Sequence, residues 1–388
     1  MSSLRRTWLL IAALWLVVWL AFYGLLRGAW PLAGRWLILS GLVLAYELWM
    51  LWRNLPANHR PGEGALLPSL GPGNTLSLLR GLCIGLLAGF LFGPWPPGAL
   101  AWVIVLLYTI TDVADFLDGY VARRADHVTE LGSVLDIEFD GLGTLVVILL
   151  AVSFGQLPPW YLLLGLARYL FLAGLWLRRR LGRPIANMPL SAHRRVFAGF
   201  QMGFLSVILW PIVPRSMATI AGSLFAAATG LGFLRDWLIA SGVLDPSAPG
   251  YQRVQSALYR LFALWLPPLW RLALVVALIG VLRAGWPLPP VAWRELLTGW
   301  GVPAAGVLAG LAAALAILGG ALVGLGVLPR LLSVALAVPI GFDIATGGLR
   351  WDNGLALVAT IFIQLFGPGR FALWPVEERF MFRRLGGR

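Results

Sequence analysis

The sequence predicts an all-α, polytopic helical membrane protein with about twelve transmembrane helices, a six-helix core carrying extra helices at both ends. Two observations carry that expectation. Of 388 residues, 59% are hydrophobic and only 12% charged, and the apolar runs repeatedly exceed the roughly 18 residues that span a bilayer. Basic residues number 30 against 17 acidic ones, a formal net charge of +13; all are arginine, and they fall between the apolar runs. That placement is the positive-inside pattern together with contact to anionic lipid, so nucleic acid is not an expected partner. A soluble enzyme is excluded. The single cysteine, Cys83, allows neither an internal disulfide nor a cysteine metal cluster.

The first span, residues 7–26, follows Arg5 and Arg6 and is too long, and too promptly followed by another, for a cleaved signal peptide. A second, 36–52, ends at Arg53, and Asn54 to Gly73 is a polar, Pro- and Gly-rich linker. Six spans follow, near 76–93, 99–117, 133–154, 160–177, 196–213 and 217–240, punctuated by Gly93 to Pro97 and by the arginines from Arg178 to Arg183. A polar linker, Asp245 to Arg253, precedes four more, near 258–282, 302–326, 331–349 and 353–367. The expected organisation is 1–69, 70–243 and 244–388. With the arginine groups inside, including the tail from Arg379 to Arg388, both termini face the cytoplasm of what is expected to be a prokaryotic plasma membrane.

Eight acids crowd one 29-residue window: Asp112, Asp115, Asp118, Asp126, Glu130, Asp136, Glu138 and Asp140. Carboxylates near a bilayer are costly and mark function. Asp115, Asp118, Gly119, Ala122 and Arg123 form one helical stripe, and Gly132, Asp136 and Asp140 a second. A short connection at 126–129 lets two antiparallel helices turn these stripes toward each other. Four converging carboxylates repel one another, and two divalent cations neutralise them; oxygen-only ligands select Mg²⁺ first and Mn²⁺ second. Such a pair stabilises attacking and leaving oxygens at phosphorus. The glycines leave room for a ligand, and the Arg123 fork suits a phosphate.

The run Asp115, Asp118, Gly119, Ala122, Arg123, Gly132, Asp136 and Asp140 resembles the signature of the CDP-alcohol phosphotransferases, matching all eight positions; a chance hit is on the order of 10⁻⁸ from average composition. Asn74 to Arg80 also resembles that family's entry segment. The resemblance covers residues 70–243 and implies a six-helix, homodimeric membrane enzyme that joins a CDP-linked alcohol to an acceptor alcohol and releases CMP in phospholipid synthesis. It implies that Asp115, Asp118, Asp136 and Asp140 hold two metal ions, that Gly119, Ala122, Arg123 and Gly132 shape the cytidine and diphosphate site, and that Asp140 is the base.

CDP-diacylglycerol is the favoured donor, with another CDP-alcohol as the alternative. For the acceptor, Gly119 to Arg124 with Val128 and Thr129 resembles the glycerophosphate-using branch, but Gly141, Leu142 and Gly143 follow Asp140 where that branch commonly has lysine. Asn74 and Arg80 are further candidate substrate ligands, and Arg80, Arg124, Arg168, Arg194 and Arg195 can meet a phosphorylated acceptor; topology explains Arg194 and Arg195 equally well. Gly81, Gly85, Gly89 and Gly93 read as a helix-packing stripe and only secondarily as a ligand groove, and His127 as a solvent-facing loop residue. Leu318 to Gly326, Arg330 and Phe366 to Phe371 resemble a DoxX-type four-helix membrane domain, which assigns no activity. Asp343 reads as a structural acid. The alternatives to an enzyme are an ion-coupled transporter using the acidic cluster and an inactive family scaffold.

Overall fold

The structure, a computed structural model, describes residues 1–186, 192–283 and 291–379; the side chains of 192–195, and with them Arg194 and Arg195, lie outside the described residues, as does the tail from 380 onward. Every element among the described residues is helical. They divide into two compact units, 1–166 with 205–211, and 167–204 with 212–388.

In the first unit, α1 (Ser2–Ala29) and α2 (Ala33–Asn54) form a hairpin. α1 buries Leu4, Trp15 and Leu26 and leaves Leu9, Leu10, Leu14, Val17 and Leu25 exposed, the surface of a helix that faces lipid. α3 (Gly71–Ala88) is buried at nearly every position from Ser77 on. Its four-residue glycine repeat explains why. A Cβ at Gly81 would lie 2.8 Å from the Phe139 ring, one at Gly85 would meet Leu44, and one at Gly89 would meet Trp36, so the stripe admits α2 on one side and α5 on the other. α4 (Ala99–Arg124) and α5 (Glu130–Ser153) complete the packing around α3. Thr129 caps α5, its hydroxyl accepting from the Gly132 N–H at 3.0 Å.

The second unit holds most of α6 (Leu162–Arg180) and α7 (Ala192–Ile208), then α8 (Arg215–Ala240), α9 (Pro249–Tyr259), α10 (Leu266–Leu282), α11 (Val291–Gly299), α12 (Ala305–Ala314), α13 (Gly320–Leu325), α14 (Pro329–Gly347) and α15 (Trp351–Phe366). Leu274, Leu278, Leu336, Ile340, Leu357 and Ile361 lie in its core. Asp343 accepts from Arg350 and from Asn353, each at 2.8 Å, a satisfied structural group. An almost wholly apolar cavity of about 600 Å³ between α10 and the α12–α13 region carries no carboxylate.

Eight helices among the described residues are long and apolar enough to cross a membrane, and two shorter apolar helices, Val196–Ile208 and Trp351–Phe366, accompany them. The expected twelve is not reached on that measure for a chemical reason. α3 spends Asn74, Thr75, Ser77 and Arg80 within its 18 residues, and α5 carries Asp136, Glu138 and Asp140. The linker expected over Asp245 to Arg253 turns helical at Pro249, running through a π-helical turn at Arg260–Trp265 into α10. The sequence does not make α11 legible, because its nine residues give too few turns for a clear apolar period.

Candidate active site

The site lies where α3, α4 and α5 meet at one end of the first unit. The polar stretch before α3 is folded onto it. Asn58 donates to the Leu67 and Ser69 carbonyls at 3.1 and 2.8 Å, and the Glu130 N–H donates to the His59 carbonyl at 3.0 Å. Arg60 pairs with Asp126 at 2.8 Å. His127, expected to face solvent, is half-buried and also lies against Gly71, with Nε2 3.1 Å from the Ser69 carbonyl. Gly71 has φ of +79°, a conformation that glycine adopts freely, and the imidazole fills the space a Cβ would take.

Beneath this cap, α3 crosses α4 closely: a Cβ at Gly73 would lie 2.6 Å from Ala122 Cβ and 3.0 Å from the Asp118 carbonyl. The signature alanine therefore permits a helix crossing as well as lining the cavity. Asn74 donates to Thr129 Oγ1 at 3.0 Å, joining the start of α3 to the cap of α5. A Cβ at Gly132 would lie 2.7 Å from Asn74 Oδ1. These contacts fix the phase of α5, and with it Asp136 and Asp140.

The two carboxylate stripes face one another. Asp115, Asp118 and Asp136 each present an oxygen, and the three lie within 4.8 Å of one another. Around an octahedral cation at about 2.1 Å, ligand oxygens stand about 3.0 Å apart when adjacent and about 4.2 Å apart when opposite, so the trio would draw together to supply three of the six ligands of a hard metal. The donor chemistry fits a divalent cation. Asp140, the fourth predicted ligand, lies outside that trio and pairs with Arg80 Nη2. Arg80 is 2% exposed; its Nη1 pairs with Asp115 and lies 3.4 Å from Asp136 and 3.8 Å from Asp118. Four carboxylates against one guanidinium leave three uncompensated negative charges, an arrangement that attracts further cations.

A cavity of about 560 Å³ opens beside these groups, lined by Asn74, Ser77, the four aspartates, Gly119, Ala122, Arg123 and Gly132. Arg123 is exposed at this cavity and makes no ion pair among the described residues. A Cβ at Gly119 would lie 3.1 Å from Arg123 Nη1, so the glycine leaves the guanidinium its place. Arg168 belongs to the second unit, on α6. Two contacts went unanticipated. Ser77 donates to Asp118 at 2.8 Å, and its position one turn after Asn74 on the same face of α3 was the available signal. Ser206 donates to Asp112, one turn before the signature.

Residues 72–240 match the family model of the CDP-alcohol phosphatidyltransferases. Among curated proteins, a Mycobacterium tuberculosis protein named as a cardiolipin synthase is 29% identical over 140 residues, 35% of this chain and 63% of the relative. The CDP-diacylglycerol–glycerol-3-phosphate 3-phosphatidyltransferases of Rickettsia bellii and Cereibacter sphaeroides are 32% and 31% identical over 104 and 108 residues. These matches span 27% and 26% of this chain, and 56% and 47% of those proteins. The chain thus spans less than two thirds of each of these relatives. No solved structure matches it.

Proposed function

We propose, from the premise that residues 72–240 are a CDP-alcohol phosphatidyltransferase domain, that this membrane protein transfers a phosphatidyl group from CDP-diacylglycerol to an acceptor alcohol and releases CMP. The observation that carries the proposal is the convergence of Asp115, Asp118 and Asp136 beside Asp140 on one 560 Å³ cavity. Bound at those carboxylates, Mg²⁺ or Mn²⁺, in a pair, would polarise the diphosphate and stabilise the departing CMP oxygen.

The chain's own residues supply the rest. Asp140 takes the proton of the acceptor hydroxyl as its oxygen forms a bond to the phosphatidyl phosphorus and the bond from that phosphorus to CMP breaks. Arg123 offers its paired donors to phosphate oxygens at the cavity, and Gly119 and Gly132 keep space and helix phase there. The donor and acceptor classes follow the names of the relatives: glycerol 3-phosphate or a phosphatidyl acceptor, with CDP-diacylglycerol. A homodimer belongs to the same proposal. Transport sites sit at interrupted helices near mid-membrane, whereas α4 and α5 run unbroken through their carboxylates.

The test is CMP release by purified protein with CDP-diacylglycerol and Mg²⁺, across glycerol 3-phosphate, inositol phosphate, inositol, serine and a phosphatidyl acceptor. One acceptor is expected to drive release, and EDTA, Asp115→Asn or Asp136→Asn to abolish it. Release unchanged in both variants would defeat the proposal.

A further inference from the structure

Arg80 stands outside the eight signature positions and yet at the centre of the carboxylates. Its Nη1 contacts the same three aspartates, Asp115, Asp118 and Asp136, whose oxygens converge as a cation site. Nη2 contacts Asp140 and lies 3.5 Å from the Asp136 carbonyl. A guanidinium nitrogen directed at three converging carboxylates fills the electrostatic role of a metal ion. A cation and Nη1 held by the same three carboxylates would lie within a few ångströms of each other, and like charges that close repel strongly in a poorly solvated site.

We propose that Arg80 is the built-in placeholder of this site: in the metal-free protein it holds the aspartate trio together, and cation entry displaces Nη1 from the trio while Nη2 stays on Asp140. The inference rests on the functional reading above and gives Arg80 a different task from the ligand of a phosphorylated acceptor expected from its charge. Both terminal nitrogens are committed to carboxylates on α4 and α5, and the group is buried, whereas Arg123 is exposed at the cavity. Ser77 completes the device. Its hydrogen bond to Asp118 keeps one ligand of the trio aligned without help from Arg80. Four carboxylates with no internal cation would repel one another and open the α3–α4–α5 junction, so the placeholder stabilises the empty site and competes with its ligand.

The experiment uses the full chain in detergent, with free Mn²⁺ counted by electron paramagnetic resonance and Tm read in EDTA and at saturating Mn²⁺. Arg80→Gln is expected to lower the metal-free Tm, to bind Mn²⁺ with a Kd roughly tenfold smaller than wild type (about 1.4 kcal/mol), and to regain most of the lost Tm once Mn²⁺ is bound. An unchanged Kd and metal-free Tm, with CMP affinity lost, would make Arg80 a phosphate ligand and overturn the proposal. Weaker Mn²⁺ binding would overturn it too, by showing that Arg80 builds the ligand set rather than occupying it. Should Arg80→Gln not fold without metal, Arg80→Lys keeps the charge but not the fork and is expected to bind Mn²⁺ more tightly than wild type; equal or weaker binding overturns the proposal. Wild-type protein that binds no Mn²⁺ at all would instead defeat the metal-dependent function itself.

Discussion

Gly132 is a residue whose smallness is used twice. Its N–H donates to Thr129, and its bare Cα lets Asn74 reach that same threonine hydroxyl. An added methyl would lie 2.7 Å from Asn74 Oδ1, so Gly132→Ala must turn the amide aside and loosen the cap of α5. Losing such a cap costs about 1 kcal/mol, and the larger consequence is geometric, because Asp136 and Asp140 ride one and two turns further along the helix. A displacement near 1 Å at reacting groups can cost roughly 100-fold in rate. Gly132→Ala is therefore expected to remain folded with a modestly lower Tm and to release CMP ten- to a hundredfold more slowly. A rate within twofold of wild type would show that α5 is positioned by other contacts. Ser77→Ala makes the complementary change. It deletes the hydrogen bond to Asp118 and is expected to raise the Mg²⁺ concentration needed for half-maximal rate several-fold, with little change in Tm, because the close Gly73–Ala122 crossing still holds α3 against α4.

Among the elements, α2 holds the least comfortable group in the first unit. Glu47 is 1% exposed, and neither carboxylate oxygen has a hydrogen-bond partner among the described residues; Gly85 of α3 leaves the room it occupies, its added Cβ lying 3.3 Å from Glu47 Oε2. A buried polar group without a partner costs about 1–3 kcal/mol, so Glu47→Leu, close in volume, is expected to raise Tm by several degrees and leave the Mg²⁺ requirement of CMP release unaltered. A fall in both would mean that Glu47 acts on the site. The sequence makes the helices themselves legible: apolar length, arginine ends and the Gly-Pro breaks around 93–97 bring most expected spans within a few residues of α1 to α8. It makes the aspartates and glycines of α4 and α5 legible because their spacing is local to each helix. It hides Arg80's carboxylate partners, Ser77 against Asp118 and the fold of residues 54–70 onto the 125–130 turn, since one helix's periodicity does not say which neighbour its polar face meets. It hides α11 because nine residues give too few turns for a clear apolar period.

For the whole molecule, charge distribution makes a topological prediction that the fold permits and an experiment can decide. In the first unit, Arg53, Arg60, Arg123 and Arg124 gather at the end that holds the aspartates, while residues 89–98 and 154–161, which join the helices at their other ends, contain no charged residue. Arg27 and Arg35 flank the α1–α2 turn against this trend, and Arg35 is engaged there by the Leu91 carbonyl at 2.9 Å. The positive-inside rule then places the active-site end in the cytoplasm, where a CDP-linked donor's nucleotide can be bound and CMP returned to the soluble pool. Cys83 is buried, and Cys83→Ala supplies a cysteine-free background in which two exposed loop positions can be marked separately. Glu63→Cys, before α3, is expected to react with an impermeant maleimide only in inside-out vesicles, and Pro97→Cys, before α4, only in right-side-out ones. The reverse pattern would put the aspartate cavity on the outer face, away from cytoplasmic nucleotide, and a CDP-dependent transfer there would need a nucleotide supply of its own; labelling of both sites from one side would instead mean that α3 does not cross.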